Sequence, residues 1–131
     1  MAHEWNICAI DHVAINVSDL EGMTAFYCNI LGCRVELRQD NIGLVHLRAG
    51  SSLIDLIDRA GPLASEAEGT GHNLNHLCLR ADNFDAEEAK AELAALGVDV
   101  GEVLERFGSN GRSKTLYFRD PEGNGLELRG A

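Results

Sequence analysis

An internal repeat constrains the fold of this chain more than any other feature of its sequence. Residues 10–21 (IDHVAINVSDLE) align with residues 74–85 (LNHLCLRADNFD) at a shift of 64 positions, which equates His12 with His76. Residues 51–57 (SSLIDLI) align with GNGLELR near the end of the chain at a shift of 72, which equates Asp55 with Glu127. Self-similarity of this kind indicates two copies of one supersecondary unit that share a core.

Each copy is predicted to be strand–helix–strand–strand–strand. Both begin with alternating apolar and polar residues, which is typical of a half-buried strand. A helix should follow in each: Glu21–Ile30 after a cap at Ser18 or Asp19, and Ala86–Leu96 after a cap at Asp85. The further strands are predicted at Arg34–Leu37, Leu44–Arg48 and 51–57 in the first copy, and at Val98–Val100, Thr115–Arg119 and 123–129 in the second.

The predicted fold class is therefore α+β, with two tandem βαβββ modules in one domain of 131 residues. The modules cover residues 7–59 and 74–130, and the Gly- and Ala-rich segment 60–73 joins them as a linker. Neither module can bury a sheet face alone, so we expect the sheets to form one curved mixed sheet with the helices outside. Its concave face would form the cavity for a ligand.

Strand alternation predicts which side chains face this cavity. The apolar residues of each strand should pack under the helices, which leaves a polar set on the open face: His12, Asn16, Asp55, His76, Arg80, Glu127 and Arg129. Two imidazoles and two carboxylates at repeat-equivalent positions suit a divalent transition metal such as Fe, Mn, Co, Ni or Zn. The alternative is that these are ordinary hydrogen-bonded side chains. Asp55 is the shortest of the four, and it is a candidate ligand, general base or hydrogen-bond acceptor for a ligand.

The segment Glu105–Lys114 (ERFGSNGRSK) is rich in glycine and basic for an acidic protein. It is predicted to be a loop. Arg112 and Lys114 would contact an anionic substrate or a thiol cosubstrate if the loop closes as a flap. The alternative is a solvated hairpin loop without a role in binding.

Three segments resemble the vicinal oxygen chelate superfamily of glyoxalases, bleomycin-resistance proteins and dioxygenase-like proteins. They are DHVAINVSD with FYCNILGC, then NHLCLRAD, and finally YFRDPEGNGLELR, and the resemblance covers about residues 7–129. It implies that His12, His76 and Glu127 are metal ligands and that the chain forms a homodimer. The family commonly places Glu or Gln at the position of Asp55, so aspartate there is a departure.

The resemblance favours a metal-dependent lyase or isomerase of the glyoxalase type. Its small oxygenated substrate would chelate the metal, and Asp55 and Glu127 would be the catalytic carboxylates. Two alternatives stay open: a non-catalytic protein that binds a drug or metabolite, and a thiol transferase of the fosfomycin-resistance type. Against the transferase, Ala14 stands where those enzymes place a hydroxyl residue.

Composition excludes some partners. The chain has 21 acidic and 11 basic side chains, a formal net charge of −10, and this field would repel nucleic acid and anionic membranes. The N-terminal sequence has no signal-peptide pattern, so we expect a cytoplasmic protein with four reduced cysteines that acts on a small molecule.

Overall fold

The computed structural model describes residues 7–66 and 74–130. The chain divides into two compact units, residues 1–67 and 68–131, and each contains one of the predicted modules. Among the described residues, no helix is long and apolar enough to span a membrane.

The first unit is a four-stranded mixed sheet with one helix. Its elements are β1 (His12–Val17), α1 (Leu20–Ala25) with a π-helical continuation (Phe26–Ile30), β2 (Arg34–Gln39), β3 (Leu44–Ala49) and β4 (Ser52–Asp58), with short 3-10 turns at Asp40–Ile42 and Pro62–Glu66. The strand order is β1-β4-β3-β2. Strand β1 runs parallel to β4, and the other neighbours are antiparallel.

Local sequence explains where α1 begins and which face it buries. The Asp19 carboxylate accepts a hydrogen bond from the Gly22 backbone N–H at 3.0 Å, which caps the helix start. Gly32 ends the helical segment with φ of +82°, a conformation that disfavours side chains. The buried residues of the helical segment pack on one face of the sheet, whose buried members are Ile15, Val17, Val45, Leu47, Ile54 and Leu56.

The second unit repeats this plan. Its elements are β5 (Leu77–Ala81), α2 (Ala86–Ala95), β6 (Asp99–Gly108), β7 (Gly111–Arg119) and β8 (Gly125–Gly130). The strand order β5-β8-β7-β6 matches that of the first unit, and β5 is again parallel to β8. Asp85 caps α2 by accepting from the Glu88 N–H at 3.0 Å. The α+β class and the two βαβββ modules are therefore confirmed.

The prediction for residues 105–114 was wrong in its secondary structure. This segment is not a loop, because β6 continues to Gly108 and β7 starts at Gly111, which leaves only Ser109 and Asn110 between them. Cross-strand pairs extend to the tip, including Arg106 with Ser113. Gly111 has φ of +97°, so the glycines that looked like loop residues close a tight hairpin turn.

The predicted linker lies only partly within the described residues. Its beginning forms the 3-10 turn Pro62–Glu66, and residues 67–73 lie outside the described part of the chain. The side-by-side arrangement of the two sheets stays a prediction.

Candidate metal centre

In the first unit, strand pairing places the predicted polar residues on one face of the sheet. Asp55 in β4 lies between Ala14 of β1 and His46 of β3. Because alternate residues face opposite sides, the helix covers Ile54 and Leu56, and Asp55 projects from the other face. Asp55 is nevertheless only 7% exposed, so this carboxylate needs partners.

Both ring nitrogens of His12 face carboxylate oxygens. Nδ1 lies 2.8 Å from Asp11 Oδ2, and Nε2 lies 3.8 Å from Asp55 Oδ2. A neutral imidazole carries one N–H, so only one ring nitrogen can donate to a carboxylate. The other nitrogen would present its lone pair to the second carboxylate, which is unfavourable. A second proton or a metal cation resolves this conflict. In agreement, the hydrogen bond to Asp11, followed by the charge of Asp55, raises the pKa of His12 above its usual value.

The second unit repeats this geometry at the equivalent residues. His76 Nδ1 lies 2.8 Å from Asn75 Oδ1, and His76 Nε2 lies 3.1 Å from Glu127 Oε2. Glu127 is 7% exposed, and its neighbours across the sheet are Cys78 and Tyr117. An oxygen acceptor for the Nδ1–H fixes the orientation and tautomer of the ring. The lone pair of Nε2 is then available to bind a metal, as in many metal-bound histidines.

The spacing of the His76–Glu127 pair fits a divalent metal, whereas the 3.8 Å between His12 Nε2 and Asp55 Oδ2 is too long for two ligands of one ion. Two ligands about 2.1 Å from one ion, at tetrahedral or octahedral angles, lie about 3.0–3.4 Å apart, and the His76–Glu127 separation of 3.1 Å falls in this range. Over residues 7–66 and 74–130, however, no group of three or more His, Cys, Asp or Glu side chains converges on one point. We call the two histidine–carboxylate pairs that could donate to a metal the donor pairs: His12–Asp55 in the first unit and His76–Glu127 in the second.

Asp55 belongs to a hydrogen-bonded chain that continues to two residues of the first unit. Its Oδ1 accepts from His46 Nδ1 at 2.8 Å, and His46 Nε2 lies 3.0 Å from Gln39 Nε2. A neutral His46 that donates from Nδ1 and accepts from the Gln39 amide satisfies both contacts. His46 lies in the strand predicted over Leu44–Arg48, to which no face was assigned, and Gln39 was not singled out. Asp55 is therefore oriented by His46 as well as facing His12.

The predicted substrate residues fall on different faces. Asn16 shares the open face of the first sheet with His12, by strand alternation. Arg80 and Arg129 are cross-strand neighbours on the Glu127 face of the second sheet. Arg112 and Lys114 alternate with Ser113 and therefore project from the opposite face, where Arg112 Nε lies 3.6 Å from Glu105 Oε1. The hairpin thus turns these two cations away from Glu127.

A cavity of about 310 Å³ opens beside His76 within the second unit. Tyr117, Gly101 and Arg119 contribute to its lining. A Cβ at Gly101 would lie 3.3 Å from the Tyr117 Cβ, so glycine there lets β6 approach Tyr117 closely. This volume is at the lower end of the range for small-molecule sites.

A sequence-family model described as the Glyoxalase/Bleomycin resistance protein/Dioxygenase superfamily matches residues 9–128. The chain belongs to this superfamily. The resemblance carried by the three sequence segments is therefore confirmed, and its match spans both donor pairs.

Relatives within the glyoxalase superfamily include enzymes. Human mitochondrial methylmalonyl-CoA epimerase is 30% identical over 129 residues, covering 90% of this chain and 69% of that protein. The chain spans 51–69% of the lengths of the human, bovine and mouse mitochondrial epimerases.

Solved structures of similar fold include an integron cassette protein from Vibrio cholerae, with 25% identity, a TM-score of 0.83 and 98% coverage of both chains. The lactoylglutathione lyase of Agrobacterium tumefaciens is 28% identical, with a TM-score of 0.69 and coverage of 94% of this chain and 93% of that chain.

Proposed function

We propose that this protein is a metal-dependent lyase or isomerase of the glyoxalase type that acts on a small oxygenated substrate. In this proposal His12, His76 and Glu127 hold one divalent transition metal. The observation that supports it most is the repeated histidine geometry. In both units Nδ1 is engaged by the side chain of the preceding residue, and Nε2 faces a buried carboxylate.

When bound, the metal would supply positive charge that stabilises a negatively charged substrate oxygen. The proposal requires the open faces of the two units to meet, within one chain or across the homodimer that we expect. An epimerase and a lyase among the relatives support catalysis over simple binding.

Within this scheme, Asp55 is the candidate proton acceptor. His46 Nδ1 donates to one of its oxygens at 2.8 Å and so orients the carboxylate. Its other oxygen remains directed towards His12, at 3.8 Å from Nε2. We assign Asp55 to proton transfer in preference to metal binding because His46 already engages one of its oxygens. Glu127 is the metal ligand and the second candidate for moving a proton.

Metal analysis of the purified and reconstituted protein tests the metal assignment. His12→Ala and His76→Ala should each lose bound metal while keeping the circular dichroism of the folded chain. His46→Ala is the matched control, since His46 contacts Asp55 and is not a proposed ligand. Metal retained by both alanine variants at the proposed ligands, or an absence of stoichiometric metal after reconstitution, would contradict the proposal and favour a sequestering protein.

Activity is tested by a screen of hemithioacetals, acyl thioesters, catechols and epoxide phosphonates with the metal-loaded protein. For a substrate that turns over, Asp55→Asn should lower kcat by about 100-fold or more, because general base catalysis contributes at least that much. Its metal content should not change. Full activity in Asp55→Asn would remove Asp55 from proton transfer, and turnover that strictly needs an added thiol would favour the transferase.

A further inference from the structure

Four guanidinium groups share the Glu127 face of the second unit, and three of them lie on the same side of Glu127. The fourth, Arg119, pairs with Gly125 on the other side, and its Nη1 donates to the Gly123 carbonyl at 3.0 Å. Arg80 in β5 and Arg129 in β8 are cross-strand neighbours, two residues along the strands from Cys78 and Glu127. Arg106 in β6 reaches the same face, because its Nε donates to the Tyr117 hydroxyl at 3.1 Å. Its guanidinium carbon lies 6.0 Å from the Tyr117 ring centroid.

These arginines have no carboxylate within ion-pair distance among the described residues. Four other arginines do have such a partner: Arg34, Arg38, Arg48 and Arg112. The chain has almost twice as many acidic as basic side chains, 21 against 11. In such a protein, three cations on one face that form no ion pair, even with Glu127 on that face, are unusual, and we define Arg80, Arg106 and Arg129 as the positive patch.

Arg129 makes this patch more than a solvated surface. It is only 4% exposed, and its Nη1 donates to the Arg106 carbonyl at 3.3 Å. Its Nε is buried and has no hydrogen-bond partner among the described residues. Burial of a guanidinium without a counter-charge is costly, which favours a nearby anion. A Cβ at Gly108 would lie 2.1 Å from Nη1, so glycine there is needed for the buried position of this side chain.

We propose that Arg80 and Arg106, with the buried charge of Arg129 beside them, bind an anionic oxygen group of the substrate. A two-residue step along a strand covers about 6.6 Å, so this group would lie about that far from the end of the substrate at Glu127. The inference rests on the proposed function for that end. It identifies the substrate class as a small molecule with adjacent oxygens at one end and a carboxylate or phosphoryl group at the other.

Two probes of equal chain length test this subsite by calorimetry on the metal-loaded protein. 2-Oxoglutarate and 2-oxopentanoate share the 2-oxo acid, and only the first has a terminal carboxylate. We expect the protein to bind 2-oxoglutarate at least about 10-fold more tightly, which is the contribution of one hydrogen bond to a charged group. Arg80→Gln and Arg106→Gln should each remove most of this preference and leave the affinity for 2-oxopentanoate unchanged.

Arg112→Gln is the matched control, because Arg112 lies in the same hairpin on the opposite face and has its own partner, Glu105. It should keep the preference. An equal loss in Arg112→Gln would show a general charge effect and overturn the subsite. Unchanged preference in both Arg80→Gln and Arg106→Gln would overturn it as well.

Titration of metal-free protein with inorganic phosphate, followed by ³¹P NMR, separates this inference from the proposed function. Phosphate binding that weakens in Arg80→Gln and Arg106→Gln, and not in Arg112→Gln, supports the anion subsite even when no metal binds. Binding of metal and both 2-oxo acids without preference for the dicarboxylate overturns the subsite and leaves the proposed function standing.

Discussion

The turn before β8 should contribute strongly to stability through the Asp120 carboxylate. Asp120 is only 4% exposed. Its Oδ1 accepts from the backbone N–H groups of Glu122, at 2.9 Å, and of Asn124, at 3.0 Å, and its Oδ2 accepts from the Asn124 side-chain amide at 2.7 Å. Replacement by alanine removes the acceptor for all three donors at once.

The magnitude follows from those three contacts. A hydrogen bond to a charged group contributes about 1.5–3 kcal/mol, and a donor left without a partner adds a cost only where water cannot reach it. Because the turn is partly exposed, water can satisfy some of the freed donors. Three such contacts sum to about 4.5–9 kcal/mol. Because water replaces part of this, we expect Asp120→Ala to lower the free energy of unfolding by about 3 kcal/mol and the melting temperature by about 10 °C.

Urea denaturation followed by far-ultraviolet circular dichroism measures this loss. Asp85→Ala is the comparison, because Asp85 accepts from one backbone N–H at a helix start, and loss of such a cap costs about 1 kcal/mol. Amide hydrogen exchange should also become faster in β8, which carries Glu127 and begins directly after the turn. A loss in Asp120→Ala no larger than that in Asp85→Ala would refute the argument that the three contacts act together.

Three further outcomes follow from single side chains. NMR titration of metal-free protein should give His12 a pKa above its ordinary value, and Asp11→Asn should lower that pKa. A raised pKa in the folded state stabilises the protein at pH values below the unfolded-state pKa, and this stabilisation is lost as the pH rises through the folded-state pKa. Asp11→Asn should therefore reduce the free energy of unfolding more near pH 5.5 than near pH 8.5. Burial raises the pKa of Cys33 to about 11, so an aromatic disulfide reagent near pH 8 should label exposed Cys8 much faster. Leu47 is fully buried, and Leu47→Ala should cost about 3 kcal/mol of unfolding free energy in the same urea assay.

The repeat and strand alternation were enough to predict that each histidine shares a face with the carboxylate of its module. A carboxylate at the same position of the last strand in each module must share a face with the histidine at the start of the first strand, because those strands pair in parallel in both units. What the sequence does not specify is the side-chain partner of each carboxylate. Asp11 and Asn75 were aligned by the repeat, but their contacts with the following histidine depend on rotamers.

The position of His46 could have been predicted from one turn. Gly50 has φ of +61°, and Gly50 and Ser51 form a two-residue connection in which Ala49 pairs with Ser52. A two-residue hairpin loop fixes the register of its strands. Counting back from this turn places His46 opposite Asp55, as the structure shows.

The long hairpin of the second unit was harder to predict for a physical reason. The register shifts between Val100 and Val103, where β6 contains a bulge opposite β7. A bulge inserts one residue and reverses the alternation beyond it, so no single period of two runs through β6. With polar residues and two glycines at the tip, the pattern favoured a loop, and the faces of Arg106, Arg112 and Lys114 could not be assigned.

The two modules share a topology but differ at the central row of the open face. The row Ala14–Asp55–His46 in the first unit corresponds to Cys78–Glu127–Tyr117 in the second. Aspartate is shorter than glutamate by one methylene, and the imidazole at the position of Tyr117 provides it with a hydrogen-bond donor at 2.8 Å. Asp55 and its partner His46 thus both differ from their counterparts in the second unit, Glu127 and Tyr117. On the proposed function, this difference would divide the work between the units: the second would hold the metal and the anionic end of the substrate, and the first would add a histidine ligand and move the proton.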